Sequence, residues 1–582
     1  MTLFAGKFRI STRYWLLLPV ILSILSACSL LEDPEPLHTL PRHAAVASAH
    51  PQATRAGLDV LAKGGNAIDA AIAVAASLGV VEPYSAGLGG GGFWLIYLAD
   101  RHEYRFLDAR ERAPAAADAD YYLNADGEVN RDKAINGPTA AAIPGQPAAF
   151  DYLARTWGKL PLSTSLSAAI RQARDGFVVD GHYRQMLGFR QEAIRRYPAS
   201  RRQFLDPNGQ IPQPGFLLRQ PDLANTLQAI ADQGRDGFYR GPVAQALVDS
   251  VTRDGGHWSL KDLEQYRVVE RAPVMVRLGE HTLVSAPPPS SGGIALGQML
   301  QMLDELHWQE QDELMRTHLL TEVMRRAYFD RAHYLGDPDF VQVPTKKLLA
   351  PEHIRHWLQG INPQQATASV QLGEPATLEE GFHTTHLSVI DQHGNMVSAT
   401  LSINLPFGSA FTADGTGVLL NNEMDDFSAS PGVANAYGLV GNSANAIAPG
   451  KRPLSSMSPS FLVSDHDAAI IGTPGGSRII SMVLLGMLEH LQGKPVYEWV
   501  GRPRFHHQYL PDVLEFEPGA FTDDEQRALT AMGHTLKSAG RQYGNMQAIL
   551  FNRVSGEVSA ASDPRGIGLA AMLPVRTTTD DD

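Results

Sequence analysis

The stretch "TTHLSVIDQHGNMVSATLSI", residues 384–403, contains two β-rich segments separated by a short turn. The turn, residues 392–394, ends in glycine, which supplies the left-handed residue that a short hairpin loop requires. A hairpin closed there places Thr384 opposite Ser402, with Cβ atoms roughly 5 Å apart on one face. A bulge at the glycine would shift this register by one residue. The segment therefore predicts that a sheet begins at Thr384.

The face shared with Thr384 is polar in the second strand, where Ser398, Thr400 and Ser402 alternate with apolar residues. In antiparallel sheets such a face is usually exposed to solvent. A threonine at the head of a strand can also act chemically, because its own α-amino group can accept the hydroxyl proton. The reference pKa of an α-amino group is about 7.7–8.0, which is close enough to neutral for general-base catalysis.

An α-amino group exists at Thr384 only if the chain is cut between His383 and Thr384. We therefore expect a precursor in which the Thr384 hydroxyl attacks the preceding carbonyl carbon and forms an ester. Hydrolysis of that ester would release a new N-terminus at Thr384. The motif thus favours an enzyme that activates itself by cleaving its own chain.

The composition is that of a globular protein, with 44% hydrophobic and 19% charged residues among 582. The net charge is −13, the pI is near 5.8, and Lys and Arg residues form no concentrated run. Because nucleic-acid binding requires a basic face, the sequence argues against a nucleic-acid partner. Cys28 is the only cysteine, so the chain can form neither an internal disulfide nor a cysteine-based metal cluster.

The N-terminus has the pattern of an export signal. Three basic residues precede the apolar run "YWLLLPVILSILSA", which has the length of a signal-peptide core and is short for a membrane span. The run ends in "LSAC", which resembles the lipobox of bacterial lipoproteins. This resemblance implies removal of residues 1–27, lipid attachment at Cys28 and, because Ser29 follows, an outer-membrane anchor facing the periplasm. Residues 28–43 would then be a tether, whereas in the alternative, an ordinary signal peptide, the cysteine is incidental.

Residues 44–81 have a helical pattern, with Asn66 placed to cap a buried, Ala-rich helix. The next segment, "GLGGGGF" at 87–93, matches the dinucleotide-binding pattern G-x-G-x-x-G. That fingerprint requires a strand before it and a helix after it, whereas here a helix precedes and the apolar strand "FWLIYLA" follows. We therefore reject dinucleotide binding. Residues 150–380 are mostly amphipathic helical patterns, and short β-rich segments follow Thr384.

Motifs along the chain, from about Ala44 to the C-terminus, resemble those of the γ-glutamyltranspeptidases (glutathione hydrolases). They are "GLGGGGF", "LDARERAP", "PPPSSGG", "TTHLSV", "LLNNEMDDFS", "PGKRPLSSMSP", "GTPGGSR" and "ASDPR". The resemblance implies an N-terminal nucleophile hydrolase with an α/β (α+β) fold, a four-layer αββα sandwich. It also implies a large subunit, residues 44–383, and a small catalytic subunit, residues 384–582, which together form one αββα unit.

The same resemblance assigns roles to matching residues. Thr384 corresponds to the nucleophile, His383 precedes the cut, and Gly475 and Gly476 form an oxyanion hole. Ser402 stands where many members have threonine, so we expect retained activity with slower maturation. The resemblance implies these substrate-binding residues: Arg110, Ser455 and Ser456 at the α-carboxylate, Asn404, Glu423 and Asp426 at the α-ammonium, and Tyr437 in a lid.

We predict neither a metal nor a cofactor. The segment "NNEMDDFS" offers oxygen ligands but lacks the spacing of an EF-hand loop. The adjacent His506 and His507 in "RFHHQ" would point to opposite faces of a strand and could not easily share one ion.

The expected reaction is attack on the γ-glutamyl amide of glutathione or a related compound, through a γ-glutamyl-threonine ester. The acyl group then passes to water or to an amino acid or peptide acceptor. One alternative is a cephalosporin (glutaryl) acylase of the same fold, although its substrates lack the α-ammonium group that Glu423 and Asp426 would bind. The other is an envelope lipoprotein that binds γ-glutamyl compounds without catalysis, which the retained nucleophile and oxyanion glycines argue against.

Overall fold

The hairpin at Thr384 forms in the predicted register, with Thr384 opposite Ser402. Its turn is stabilised by Asp391, whose carboxylate accepts two hydrogen bonds from backbone N–H groups within the turn (2.8 and 3.0 Å). The other oxygen of Asp391 accepts a hydrogen bond from the backbone N–H of Ala67 (2.9 Å), at the start of a helix. The turn therefore both sets the register and connects the hairpin to a helix of the other half of the chain.

The computed structural model describes residues 39–373, 384–428 and 443–574. Three of the predicted site residues lie outside these ranges: Cys28, His383 and Tyr437. Among the helices of the described ranges, none combines the length and the apolar character needed to cross a membrane.

The strands of the described residues form two large antiparallel sheets and three small ones. In chain order they are β1 (His43–Ser48), β2 (Gly91–Leu98), β3 (Glu103–Ala109), β4 (Phe177–Val178), β5 (Leu217–Leu218), β6 (Val269–Arg271), β7 (Val274–Leu278), β8 (His281–Ser285), β9 (Thr384–Ile390), β10 (Met396–Ser402), β11 (Thr412–Ala413), β12 (Val418–Leu419), β13 (Ser460–Val463), β14 (Asp467–Gly472), β15 (Phe505–His506), β16 (Leu514–Phe516), β17 (Leu536–Ser538), β18 (Gln547–Asn552), β19 (Val558–Ser562) and β20 (Leu569–Pro574). The first large sheet has the order β20-β1-β9-β10-β2-β3-β6, and the second has the order β19-β18-β14-β13-β8-β7.

Helices occupy most of the chain between the strands of the first half and cover both sheets. In chain order they are α1 (Pro51–Ala62), α2 (Ala67–Val81), α3 (Arg131–Ile135), α4 (Gln146–Thr156), α5 (Leu162–Asp175), α6 (Gly181–Arg196), α7 (Pro198–Phe204), α8 (Pro221–Gln233), α9 (Asp236–Tyr239), α10 (Gly241–Arg253), α11 (Leu260–Gln265), α12 (Gly292–Glu305), α13 (Glu313–Tyr334), α14 (Thr345–Leu348), α15 (Pro351–Gln359), α16 (Arg478–Leu491), α17 (Val496–Gly501) and α18 (Asp523–Ala531). Helices α1, α2 and α4 pack on the first sheet, and α12, α16 and α17 pack on the second.

The polar face of the hairpin is buried, because the second sheet packs against it. Ser388 Oγ donates a hydrogen bond to the carbonyl of Gln547 (3.1 Å), and Ser398 Oγ donates to the carbonyl of Ile471 (3.3 Å). The expectation that this face is solvated is therefore wrong: hydroxyl groups inside the sandwich are satisfied by backbone carbonyls of the facing sheet. The two sheets and their outer helices form the predicted αββα layers.

His386 lies on the same face and is completely buried between the sheets. Its Nδ1 is hydrogen-bonded to Thr400 Oγ1 at 2.8 Å, and its ring fills the space that a side chain at Gly472 would need. Burial lowers the pKa of His386 to about 3, so the imidazole is neutral. This histidine therefore acts as a packed, uncharged part of the interior.

Two parts of the first half differ from the prediction. Residues 44–48 are not helical but belong to β1, which lies between β9 and β20 in the first sheet. The hairpin of β7 and β8, within the region predicted to be mostly helical, completes the edge of the second sheet. The buried helix α2 is confirmed, and Asn66 caps it by accepting hydrogen bonds from two backbone N–H groups of its first turn.

Candidate active site

The Thr384 hydroxyl lies at the end of the first sheet, beside the loop that follows β14. The backbone N–H of Gly475 donates a hydrogen bond to Thr384 Oγ1 over 3.3 Å. Thr384 is 6% exposed and Ser402 is 5% exposed, so both hydroxyls lie in a nearly closed environment. Ser402 Oγ accepts a hydrogen bond from the backbone N–H of Asn404 (2.8 Å), which holds it at the strand end. The structure thus brings together three residues that the sequence predicts to be catalytic.

The loop after β14 presents its backbone because it contains two glycines with positive φ, Gly475 at +145° and Gly476 at +59°. A Cβ atom at Gly475 would lie 2.5 Å from Met482 Cε, at the start of α16. Only glycine combines this backbone conformation with the available space. The sequence at this loop therefore places an N–H group beside Thr384 and keeps side chains away from it.

The glycine run at residues 89–92, which leads into β2, allows three strands to approach one another closely. A Cβ atom at Gly90 would lie 2.1 Å from the carbonyl oxygen of Ser402, and one at Gly91 would lie 2.3 Å from that of Ala109. The helix α2 precedes this run and the strand β2 follows it, which confirms the rejection of a dinucleotide fingerprint. The run has a packing role instead: it sets the positions of the ends of β10 and β3.

A row of laterally paired residues, at one end of the strands of the first sheet, connects Thr384 to Arg110. Thr384 pairs with Ser402, Ser402 pairs with Gly91, and Arg110 directly follows Ala109, which pairs with the next residue of β2. Adjacent strands are about 4.8 Å apart, so the backbones of Thr384 and Arg110 are separated by roughly 14 Å. Thr384 and Arg110 therefore lie at the same end of the strands, with β10 and β2 between them.

Arg110 is the centre of a buried charged cluster and is 1% exposed. Its guanidinium donates hydrogen bonds to the carboxylates of Glu423 and Asp426, and to the backbone carbonyls of Pro453 (3.2 Å) and Leu454 (3.1 Å). A planar fork of five donors is suited to holding several oxygen acceptors at once. Arg110 is predicted to bind the substrate α-carboxylate, and Glu423 and Asp426 are predicted to bind its α-ammonium group. In this structure the arginine and the two acids bond one another directly.

The predicted Ser455 and Ser456 directly follow the segment that holds Arg110. Ser455 Oγ accepts a hydrogen bond from the backbone N–H of Met457 (3.1 Å), and Ser456 Oγ accepts one from Arg331 Nε (3.2 Å). Arg331 also donates to Ser291 Oγ (3.0 Å), so a second buried arginine supports this wall of the cluster.

Asn404 links the nucleophile end of the sheet to the acidic segment. It adopts a positive φ of +73°, and its Nδ2 donates a hydrogen bond to the carbonyl of Asn422 (2.9 Å), immediately before Glu423. Asn422 Oδ1 in turn accepts a hydrogen bond from the backbone N–H of Leu405 (3.0 Å). These bonds hold the acidic segment against the end of β10, next to Ser402.

Two buried acids near the site were not predicted from the sequence. Glu111 is fully buried beside Arg110, and burial, together with the nearby Glu423, raises its pKa well above the ordinary value. Neither of its carboxylate oxygens has a hydrogen-bond partner among the described residues. The sequence does show that Glu111 directly follows Arg110, which could have marked it as a site residue. Adjacency alone does not reveal that its side chain is buried.

The second such acid, Glu82, follows α2 and lines a cavity of about 230 Å³ together with Thr384 and Gly475. Burial raises the pKa of Glu82 to about 8. The cavity opens on Arg541, an exposed residue. The available signal in the sequence was an acid that directly follows the long apolar run at the end of α2.

The two adjacent histidines, His506 and His507, have separate partners. His506 contacts Ser481 Oγ (2.8 Å) through Nδ1, whereas His507 contacts Asp512 Oδ1 (3.0 Å) through Nε2. Burial lowers the pKa of both, to about 3 and about 4, so both are neutral at neutral pH. The prediction that they do not share an ion is consistent with this arrangement.

Comparisons with known proteins show what the chain as a whole is similar to. The family model Gamma-glutamyltranspeptidase matches residues 53–573. The chain is 42% identical over 539 residues to a glutathione hydrolase proenzyme of Pseudomonas sp. (strain A14), covering 90% of this chain and 93% of the relative. Among solved structures it resembles a cephalosporin acylase from Bacillus halodurans (TM-score 0.81, 28% identity, 92% of this chain and 96% of that one). It also resembles the γ-glutamyltranspeptidase of Helicobacter pylori (TM-score 0.54, 36% identity, 56% of this chain and 93% of that one).

The family match covers most of the chain and includes both the Thr384 hairpin and the Arg110 cluster. The structural matches agree with the αββα layers and confirm the N-terminal nucleophile hydrolase fold. On this evidence, the chain belongs to the γ-glutamyltranspeptidase family.

Proposed function

We propose that this chain is a self-processing enzyme that cleaves the γ-glutamyl amide of glutathione and related compounds, with Thr384 as its nucleophile. The observation that carries the proposal is the buried cluster of Arg110, Glu423 and Asp426. It lies at the same end of the strands of the first sheet as Thr384. A cation and two anions there suit the α-carboxylate and α-ammonium groups of a glutamyl residue. The similarity to glutathione hydrolase proenzymes supports the same substrate class.

In the acylation step, Thr384 Oγ1 attacks the γ-carbonyl carbon and its proton passes to the free α-amine of the same residue. The carbonyl oxygen becomes an oxyanion, which the N–H groups of Gly475 and Gly476 would stabilise; the Gly475 N–H contact with Thr384 Oγ1 supports this role. The amine then gives its proton to the leaving nitrogen, the amide bond breaks, and a γ-glutamyl ester of Thr384 remains. Water or an acceptor amine attacks that ester and restores the hydroxyl.

Substrate recognition requires an exchange of ion pairs. The substrate α-carboxylate displaces a protein carboxylate from Arg110, and the released acid, Glu423 or Asp426, binds the α-ammonium group. Ser455 and Ser456 add hydrogen bonds to the α-carboxylate, and Asn404 adds one to the ammonium. Because the exchange conserves the number of opposite-charge contacts, it avoids leaving a buried charge unpaired.

The free amine at Thr384 requires the chain to be cut after His383, which divides it into residues 44–383 and 384–582. Intact mass and N-terminal sequencing of wild type and Thr384→Ala, after incubation at neutral pH, test this requirement. We expect wild type to yield a fragment that begins Thr-Thr-His, and the variant to stay uncut. Two uncut chains would contradict the mechanism and favour a binding protein without catalysis.

The similarity to a cephalosporin acylase makes glutaryl amides the relevant competing substrate. A glutaryl group lacks the α-ammonium, so it would leave Glu423 or Asp426 without a partner. We expect mature enzyme to have a higher kcat/KM for a γ-glutamyl anilide than for the matched glutaryl anilide. The opposite order would assign the chain to the acylases.

For localisation, we propose that the mature chain begins at a lipid-modified Cys28 after removal of residues 1–27. Residues 28–43 would tether the enzyme to the outer membrane, facing the periplasm. The lipobox-like "LSAC" supports this proposal. Mass spectrometry of the N-terminal peptide from membranes, for wild type and Cys28→Ala, tests it: an unmodified wild-type peptide would rule out the lipid.

A further inference from the structure

Three side chains that could bind a metal ion meet at the end of the second sheet that is remote from Thr384. They are His281 at the start of β8, Asp467 at the start of β14, and His490 near the end of α16. Each offers one ligand atom, and these atoms all lie within 4.8 Å of one another. None of the three takes part in the site described above.

The sheet register explains why the three residues meet. His281 and Asp467 lie one residue beyond paired positions on either side of β13, so they flank its end. Residues at even spacing along a strand share a face, and Ile471 of β14 contacts the position of Gly486 on α16. Asp467 therefore faces α16, where His490 lies one helical turn after Gly486.

The distances suit a shared ion better than direct hydrogen bonds. His281 Nε2 lies 3.7 Å from Asp467 Oδ1, and His490 Nε2 lies 3.5 Å from Asp467 Oδ2. Hydrogen bonds between nitrogen and oxygen are usually 2.7–3.2 Å. Two ligands of a tetrahedral zinc ion, each about 2.0–2.1 Å from the metal, are about 3.3 Å apart.

His490 supplies a second and independent observation. It is 7% exposed, and its Nε2 is a buried atom without a hydrogen-bond partner among the described residues. Such atoms are rare, because leaving a buried polar atom unsatisfied costs free energy. The ring packs against Trp499, with centroids 4.9 Å apart, which fixes the direction of Nε2 toward the cluster.

The surroundings also resemble the outer shell of a metal site. Ser464 Oγ donates a hydrogen bond to Asp467 Oδ1 (2.8 Å) and thereby orients the carboxylate. His281 and Asp467 are partly exposed, each with 24% of its side-chain surface accessible, so an ion can enter from solvent. Hydrogen bonds that orient ligating side chains are a regular feature of metal sites.

We propose that His281, Asp467 and His490 form a binding site for Zn²⁺, with solvent completing the coordination. Two imidazoles and a carboxylate are ligands that zinc accepts in tetrahedral sites. Asp467 lies five residues before Gly472, so the site is roughly 17 Å from the loop of Gly475. The ion would therefore join β8, β14 and α16 and stabilise the fold without entering the reaction.

The test uses untagged, EDTA-stripped mature protein titrated with Zn²⁺ against a chromogenic chelator. Wild type should bind one ion per cleaved enzyme, and His490→Gln and His281→Gln should each weaken that binding by at least about 100-fold. The control is His393→Gln, an exposed histidine in the hairpin turn, which should bind as wild type does. Zn²⁺ should also raise the Tm of wild type and of the control, but not of the two ligand variants.

Because His490 is buried, its replacement could disturb folding, whereas the more exposed His281 provides the same test with less disturbance. Near-wild-type γ-glutamyl anilide hydrolysis by His281→Gln would show that the fold is intact. No Zn²⁺ binding by wild type, or equal binding by wild type and His281→Gln, would overturn the proposal. Since hydrolysis is measured separately, this outcome is distinguishable from failure of the proposed catalytic function.

Discussion

The backbone N–H of Gly475 donates a hydrogen bond to the hydroxyl oxygen of Thr384. This contact joins the two sheets at one end of the sandwich, because Thr384 starts β9 of the first sheet and Gly475 follows β14 of the second. The oxyanion of a tetrahedral intermediate forms on the carbon that the hydroxyl oxygen attacks, two bonds away from that oxygen. A donor that already contacts that oxygen is therefore close to the position where negative charge develops.

Replacing Gly475 by alanine is expected to lower kcat by roughly 10²-fold, the usual effect of losing one oxyanion donor. The added Cβ would lie 2.5 Å from Met482 Cε and displace the N–H group. Steady-state rates on a γ-glutamyl anilide, normalised to cleaved enzyme, measure the effect. Gly493→Ala is the control, since Gly493 also has positive φ but open space around it. A Gly475→Ala kcat within about twofold of the control would contradict this role.

Replacing Arg110 by lysine is expected to lower kcat/KM for a γ-glutamyl donor by about 10- to 100-fold, mainly through KM. Lysine keeps the charge but cannot hold several acceptors in the geometry of a guanidinium fork. The matched control is Arg112→Lys, because Arg112 bonds the carbonyl of Gly450 (2.8 Å) and does not contact the acidic pair. Equal losses in the two variants would show that the effect is not specific to the Arg110 cluster.

Replacing Ser402 by threonine is expected to speed maturation. Both residues supply a hydroxyl opposite Thr384, but the β-methyl of threonine restricts χ1 and holds that hydroxyl in fewer orientations. The cleaved fraction is followed over time by gel and intact mass, starting from freshly purified precursor. Thr400→Ser, at the next position on the same strand face, controls for the general effect of exchanging these side chains. A variant that matures no faster than wild type would contradict the expectation.

Glu82 is expected to make stability depend on pH. Its pKa is raised to about 8 in the folded protein, against an ordinary value near 4.5. Between these values the unfolded chain releases a proton that the folded protein keeps, so stability falls as pH rises through the window. Glu82→Gln removes this loss, and its Tm advantage over wild type should be larger at pH 8 than at pH 5. For Glu128→Gln, at an exposed position, the Tm difference from wild type should be the same at pH 5 and pH 8. The same Tm difference at both pH values for Glu82→Gln would refute the raised pKa of Glu82.

The Thr384 hairpin was predictable because its determinants are local. A glycine turn and alternating side chains specify which residues oppose each other, and the structure has that register. Helix α2 was predictable for the same reason, since its Asn66 cap and apolar run are adjacent in the chain. Strand β1 was missed because five small and apolar residues match a helix or a strand equally well. Whether this segment forms a helix or a strand depends on its pairing with β9 and β20, which lie far away in the sequence.

The sequence by itself determined the family motifs, the hairpin register and the chemical types of the site residues, because these depend on neighbouring residues. Tertiary structure alone decided that the polar face of the hairpin is buried, since only the second sheet can supply its hydrogen-bond partners. It also decided that Arg110 pairs with two acids more than 300 positions away, and that Glu82 keeps its proton near neutral pH. Pairing and desolvation depend on which distant groups exclude water, and chain order does not record that.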